Sequence, residues 1–167
     1  MGHREHKRES PENVSCAVIS ISDSRTLTED ESGSLIVSTL KDNGYRITAH
    51  EILKNDAQSI VASLNKLLSD IDTEVIITTG GTGVSRRDIT VETILPLLDK
   101  QLSGFGELFR WLSYYEIGSS SIMSRALGGV SNGKVIICLP GSVAAVRLAL
   151  DKIIIPEIGH LVREASR

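Results

Sequence analysis

Aromatic residues make up only 4% of this 167-residue chain, with a single Trp, so any core has to be built from Ile, Val, Leu and Ala. No apolar run approaches the roughly 18–20 residues that span a bilayer. The stretch from Met1 to Glu12 has no apolar segment of the kind a secretory signal requires. A cytoplasmic protein with no membrane partner is the expectation. Excess basic charge is missing as well: the formal net charge is −3, which argues against a nucleic-acid-binding surface. Cysteine is scarce, and Cys16 and Cys138 lie inside apolar strand-like runs, with no CxxC and no zinc-ligand spacing. They read as buried, reduced, small hydrophobes. His3 and His6 sit in a charged arm, where a solvated or loosely docked segment is a simpler reading than a metal chelate.

Familiar catalytic signatures are absent too. No GxxxxGK[ST] occurs, which excludes a P-loop NTPase, and the glycine pattern GGTG is not the GxGxxG of dinucleotide folds. Gly141-Ser142 is not a nucleophile elbow, and only His50 and His160 lie outside the arm, so Ser-His-Asp hydrolysis finds little support.

What is present is ordinary for a globular protein: 41% apolar and 23% charged residues. The length suits one domain with a two-sided core, spanning 13–167 and preceded by a charged arm, 1–12, that meets the fold at Pro11. Near-continuous apolar runs predict strands at Val14–Ile21, Tyr45–Leu53 and Glu74–Thr79. Helical stripes follow each: Leu35, Ile36 and Leu40, closed by Asn43-Gly44; then Ile60, Leu64, Leu67 and Leu68; then Asp88–Leu98. A further helix from Gly106 to about Ile117 carries Phe105, Leu108, Phe109 and Leu112 on one face. Trp111 and Tyr115 stand off that stripe, either as core in a doubly covered layer or as a patch that a partner subunit covers. Asn132-Gly133, between two apolar runs, predicts a type I′ hairpin, and so one antiparallel strand near the sheet edge. The last helix follows Leu139-Pro140-Gly141-Ser142, with Pro156 expected to interrupt or kink it. Strands alternating with helices predict a three-layer α/β/α fold with a mostly parallel, doubly wound sheet and an antiparallel edge hairpin.

The most informative stretch is Val75–Thr79 followed by Gly80-Gly81-Thr82-Gly83 and Val84-Ser85-Arg86-Arg87-Asp88. A strand ends in glycines whose bare N–H groups can approach an anion, and a helix opens just beyond. In such folds a ligand sits outside the carboxyl ends of the strands. Ser20–Ser24, Lys54-Asn55-Asp56, Thr79–Asp88 and Pro140–Ser142 all fall there, and they supply Asp23, Asp56 and Asp88. Carboxylates beside a phosphate loop repel the anion unless a cation lies between them, which points to Mg²⁺ with a phosphate ligand. Taken alone, each aspartate reads as a helix N-cap sooner than as a ligand; it is the three at one edge that point to a metal–phosphate site.

Taken in order, Ser20-Ile21-Ser22-Asp23-Ser24-Arg25, Thr78–Gly83, Arg87-Asp88-Ile89-Thr90, Gly104–Arg110 and Leu139–Ser142 closely resemble the MoaB/Mog family of molybdenum-cofactor biosynthesis proteins. The resemblance runs from about Val14 to Val162, and Phe105–Ser124 looks more like the MoaB branch. It implies Mg²⁺-dependent adenylylation of molybdopterin with ATP as co-substrate, or, alternatively, a pterin carrier of the same fold. It also implies a trimer or dimer of trimers, and a downstream metal-insertion protein as partner. Asp88 matches the family's catalytic aspartate. Asp56 matches its second acid, unless the register slips by one and Asn55 takes that place. Both aspartates would be catalytic and metal-binding. Gly80, Gly81, Thr82, Gly83 and Ser85 would hold phosphate, Ser22 and Asp23 would lie near nucleotide or pterin, and Pro140, Gly141 and Ser142 would form the opposite rim.

Overall fold

Strands β1 (Ser15–Ile21), β2 (Arg46–Leu53), β3 (Val75–Thr79), β4 (Lys100–Gln101), β5 (Leu127–Ser131) and β6 (Lys134–Leu139) form one sheet in the computed structural model, which describes residues 11 and 13–167. The remainder of the charged arm lies outside the described residues. The strand order is β2-β1-β3-β6-β5-β4. β1 runs parallel to β2 and β3, and β3 parallel to β6, whereas β5 is antiparallel to both β6 and β4. The fold class is therefore the expected one. β4 has only two residues, too short for any periodicity to reveal it.

Helices α1 (Glu31–Asp42), α2 (Ala57–Ser69), α3 (Thr90–Ile94), α4 (Ser103–Ile117), α5 (Val143–Ala149) and α6 (Ile155–Ala165) cover both faces. Because side chains alternate along a strand, Cys16, Val18, Val75, Ile77, Val135 and Ile137 join one apolar cluster with Ile36, Leu40, Phe109, Val146 and Ile158. Ala17, Ile19, Ile76, Ile136 and Cys138 join the other, with Ile60, Leu64, Leu67 and Ile94. The scarcity of aromatics is met by β-branched strands buried on both sides, as parallel sheets require. Both cysteines are free and buried, and burial is the main cause that pushes each thiol up to about 12.

Two helical expectations change in detail. Only Thr90–Ile94 of the 88–98 stretch is α-helical, and Leu95–Leu97 tightens into a 3₁₀ turn. Pro96 has no N–H to continue the ladder, which accounts for the stop. Near the end of the chain, Pro156 does not break the helix. A π turn at Leu150–Ile154 joins α5 to α6, and Pro156 occupies the first turn of α6. The wider turn lets the chain pass a residue that cannot donate to the ladder. The hairpin forms as expected: Asn132 and Gly133 both have positive φ (49° and 73°), as a type I′ turn demands.

The register brings the site together. Ser20 pairs with Thr79, Thr79 with Leu139, and Ile21 with Leu53. Four strands thus end at one edge. The chain leaves β1 for β2 on one side and returns to β3 on the other, which places a topological switch point between β1 and β3.

Candidate active site

At that switch point lies a cleft of about 550 Å³. Its floor is the glycine turn that follows β3. Gly80 and Gly81 have φ of +99° and +65°, and a Cβ on Gly80 would stand 2.3 Å from the Ile21 carbonyl oxygen. A side chain there has both the wrong backbone and no room, so only glycine closes this turn against β1. The Gly80 N–H donates to the Leu139 carbonyl (3.0 Å), and the Thr90 N–H and hydroxyl donate to the Gly81 and Gly80 carbonyls (3.0 and 2.9 Å). The turn is held from both sides.

Gly80–Gly83, Ser22, Asp88 and Pro140–Ser142 all line the cleft, as expected from the sequence. The Thr79 hydroxyl donates to the Pro140 carbonyl (3.0 Å), and the Ser32 hydroxyl to that of Gly141 (2.8 Å), so the opposite rim is tied to β3 and α1. Ser142 also caps α5 through the Ala145 N–H (3.3 Å). The Asp88 carboxylate accepts the Ser85 N–H at 2.9 Å. Hydrogen bonds from Ser85, first from its side chain, together with the Gly83 N–H and the Arg125 charge, hold the Asp88 carboxyl below the usual carboxylate range despite partial burial. Ser85 thus supports Asp88 and does not itself line the cleft.

Asp23 and Asp56 are not among the lining residues. Asp23 accepts the Asn55 N–H (3.0 Å) and ties the ends of β1 and β2 together. Asp56 is the N-cap of α2: its Oδ2 accepts the N–H and hydroxyl of Ser59 at 2.9 and 2.7 Å, and these bonds lower its pKa. Asn55 takes the inward place. Its Nδ2 donates to the Arg87 carbonyl, and its Oδ1 is buried without a partner. A Cβ on Gly81 would meet that oxygen at 2.9 Å. Capping therefore decides the one-residue register: the aspartate serves the helix and the amide faces the turn. Asp56→Ala is expected to lower the Tm by about 2–4 °C, and Asp56→Ser, which keeps a capping oxygen, to restore most of it. Thermal denaturation of the two variants reads this directly.

The donors beside the glycine turn fit Mg²⁺. Asp88 offers the cleft a carboxylate, and Mg²⁺ ordinarily takes one or two carboxylates and completes its shell with water and phosphate; Asn55 has an unpartnered amide oxygen beside Gly81 but, like Asp56, is not among the lining residues. Among the described residues no group of three or more His, Cys, Asp or Glu could hold a metal alone. A cation here would need the substrate's phosphates.

The sequence did not point to the far wall. Phe109, Ser113 and Ile117 of α4 face the turn, followed by Ser120, Met123 and Ser124 of the 3₁₀ segment Gly118–Met123 and its exit. Arg25 is the one cation among the described lining residues, and its N–H donates to the Ser22 hydroxyl (3.2 Å). The cleft therefore joins a polar floor of backbone donors, a cation and a carboxylate to a wall of mixed apolar and hydroxyl character. That suits a ligand with an anionic end and a partly apolar body.

Comparison with known proteins agrees with this architecture. A family model described as "probable molybdopterin binding domain" matches residues 17–160. Molybdenum cofactor biosynthesis protein B of Bacillus subtilis (strain 168) is 47% identical over 168 residues, covering 100% of this chain and 99% of that protein. The Bacillus cereus protein of the same name is 46% identical with the same coverage. Among solved structures, a molybdenum cofactor biosynthesis protein B superposes with a TM-score of 0.90 at 46% identity, covering 94% of this chain and 98% of that one. The tungsten cofactor synthesizing protein MoaB from Pyrococcus furiosus gives 0.86 at 37% identity, with 95% and 100% covered.

Proposed function

The chain belongs to the MoaB/Mog family of molybdenum-cofactor biosynthesis proteins, and on that footing we propose that it adenylylates molybdopterin at the expense of ATP. The observation that carries this reading is the meeting of Asp88 with the Gly80–Gly83 turn in one cleft. In the reaction, an oxygen of the pterin's terminal phosphate attacks the α-phosphorus of ATP. The bond from that phosphorus to the bridging β-phosphate oxygen breaks, and pyrophosphate leaves with its electron pair. Little covalent chemistry falls to the protein; positioning and charge neutralisation dominate.

The N–H groups of the glycine turn that are not bonded to Leu139 or Asp88 would cradle phosphate, and Arg25 would meet the anion from the β1 side. Asp88 would hold Mg²⁺ together with the substrate's phosphates, and the bound ion would screen the charge of the approaching anions. Phe109 and Ser113 would face the pterin ring. Pterin-dependent release of pyrophosphate from Mg-ATP tests the reading; release that does not depend on pterin would overturn it. One observation favours a carrier instead: the second acid, Asp56, caps a helix away from the cleft. Tight pterin binding without pyrophosphate release would establish that alternative.

The reading includes a homo-oligomer, proposed as a trimer or dimer of trimers. Trp111 (57% exposed) and Tyr115 (71%) stack edge to face at 5.2 Å on the outside of α4, beside exposed Leu108 and Tyr114. They are not core within one chain, and so large an apolar face is costly in water. Light scattering is expected to give a multiple of 18.1 kDa, and Trp111→Glu to shift it towards that value. A monomeric native protein would contradict this part of the account.

A further inference from the structure

We propose that Arg125 is a positioning residue that clamps the 82–88 loop so that Asp88 and the glycine turn face the same anion; this deepens, and rests on, the adenylyltransferase reading. Arg125 stands just before β5, and its neighbours Ala126 and Leu127 are buried, which anchors its backbone in the sheet. Its side chain crosses to a different part of the chain. Nε donates to the Thr82 carbonyl at 3.1 Å and Nη2 to the Asp88 carbonyl at 3.4 Å, so one guanidinium grips both ends of the loop. The Glu92 carboxylate holds the guanidinium from the far side, with Nη2 to Oε2 at 3.1 Å and a second bond from Nη1.

The loop needs such a clamp. Its tip, from Val84 to Arg87, is exposed, and Val84 packs on nothing that buries it. The planar fork suits the task because it can address two carbonyls and a carboxylate together, which an ammonium cannot do in fixed geometry. The contact also reaches the carboxylate indirectly. The carbonyl of Thr82 and the N–H of Gly83 belong to one peptide unit, and that N–H is among the donors that stabilise ionised Asp88. Donation by a cation to the carbonyl polarises the same unit and strengthens its N–H as a donor. Since Glu92 neutralises Arg125, its role is to orient rather than to bind the incoming anion.

Arg125→Lys keeps the charge and loses the fork; Arg125→Ala loses both. Amide hydrogen exchange on the ligand-free protein is expected to accelerate about tenfold or more across 82–90 in both variants, with β1, β3 and β6 unchanged. In the adenylylation assay kcat should fall about 10²-fold while KM for the pterin stays within about twofold. Unchanged exchange in 82–90 overturns the proposal, and so does a loss expressed equally in pterin KM, which would make Arg125 a ligand contact. Should the native protein form no adduct, the adenylyltransferase reading fails on its own, and exchange still decides whether Arg125 holds the loop. Should Arg125→Ala not fold, Arg125→Lys carries the test.

Discussion

Asp88→Asn is expected to leave the protein folded and to reduce adenylyl transfer by about 10²–10³-fold, the order seen when one preorganised charge-stabilising group is removed. The substitution is isosteric, and an amide oxygen can still accept the Ser85 N–H that Asp88 Oδ2 accepts at 2.9 Å. What disappears is the negative charge beside the glycine turn, and with it the proposed anchor for Mg²⁺. Nucleotide binding should therefore become insensitive to Mg²⁺ concentration as turnover collapses; an active Asp88→Asn protein would remove the residue from the mechanism.

The acid dependence follows from the same contacts. Hydrogen bonds from Ser85 and Gly83, with the Arg125 charge, lower the folded-state pKa of Asp88. Its ionised form is therefore favoured by folding. That contribution is fully present above the unfolded carboxylate value of about 4 and is lost only as pH falls through the lower folded-state value. Turnover should show no Asp88 titration between about pH 5 and 8. A kinetic pKa in that window that vanished in Asp88→Asn would contradict the assignment of these hydrogen bonds.

Gly80→Ala has the second large expected effect. At φ +99° an L residue is strained, and its Cβ would press to 2.3 Å on the Ile21 carbonyl oxygen. Neither partner can give way, because Ile21 ends β1, a strand paired on both sides, and the Gly80 N–H is bonded to Leu139 on β6. The loss should be about 3 kcal/mol or more, the sum of left-handed strain and overpacking, with adenylyl transfer lost even where folding survives. Gly44→Ala supplies the comparison. Gly44 has φ +84° with nothing within 4 Å of the added Cβ, so it should cost only the strain, about 1–2 kcal/mol. Equal losses at the two positions, by denaturant titration, would mean that close packing on β1 does not hold the turn in place.

How much of this could be read from the chain differs residue by residue. The strands and the glycine turn were legible because β-branched runs and clustered glycines answer to local physics: burial on two faces and positive φ. Asp88 was legible from its spacing to that turn. The choice between Asn55 and Asp56 was not, because an aspartate ahead of a helix carries the same local signal whether it caps or binds; only Ser59 on one side and Gly81 on the other separate the two. Arg125 was invisible for another reason. It meets Asp88 across 37 residues of sequence, and nothing in its own neighbourhood marks the contact. The wall of Phe109, Ser113 and Met123 depends on how α4 is rotated against the sheet, which its apolar stripe sets only coarsely.

The most direct test of the central claim is mass detection of the pterin product after incubating the purified protein with ATP, Mg²⁺ and molybdopterin. The account predicts an AMP adduct of molybdopterin, formed one for one with pyrophosphate, and none from Asp88→Asn. Pterin bound tightly by the native protein but recovered unmodified would contradict it, and the cleft would then be a carrier site.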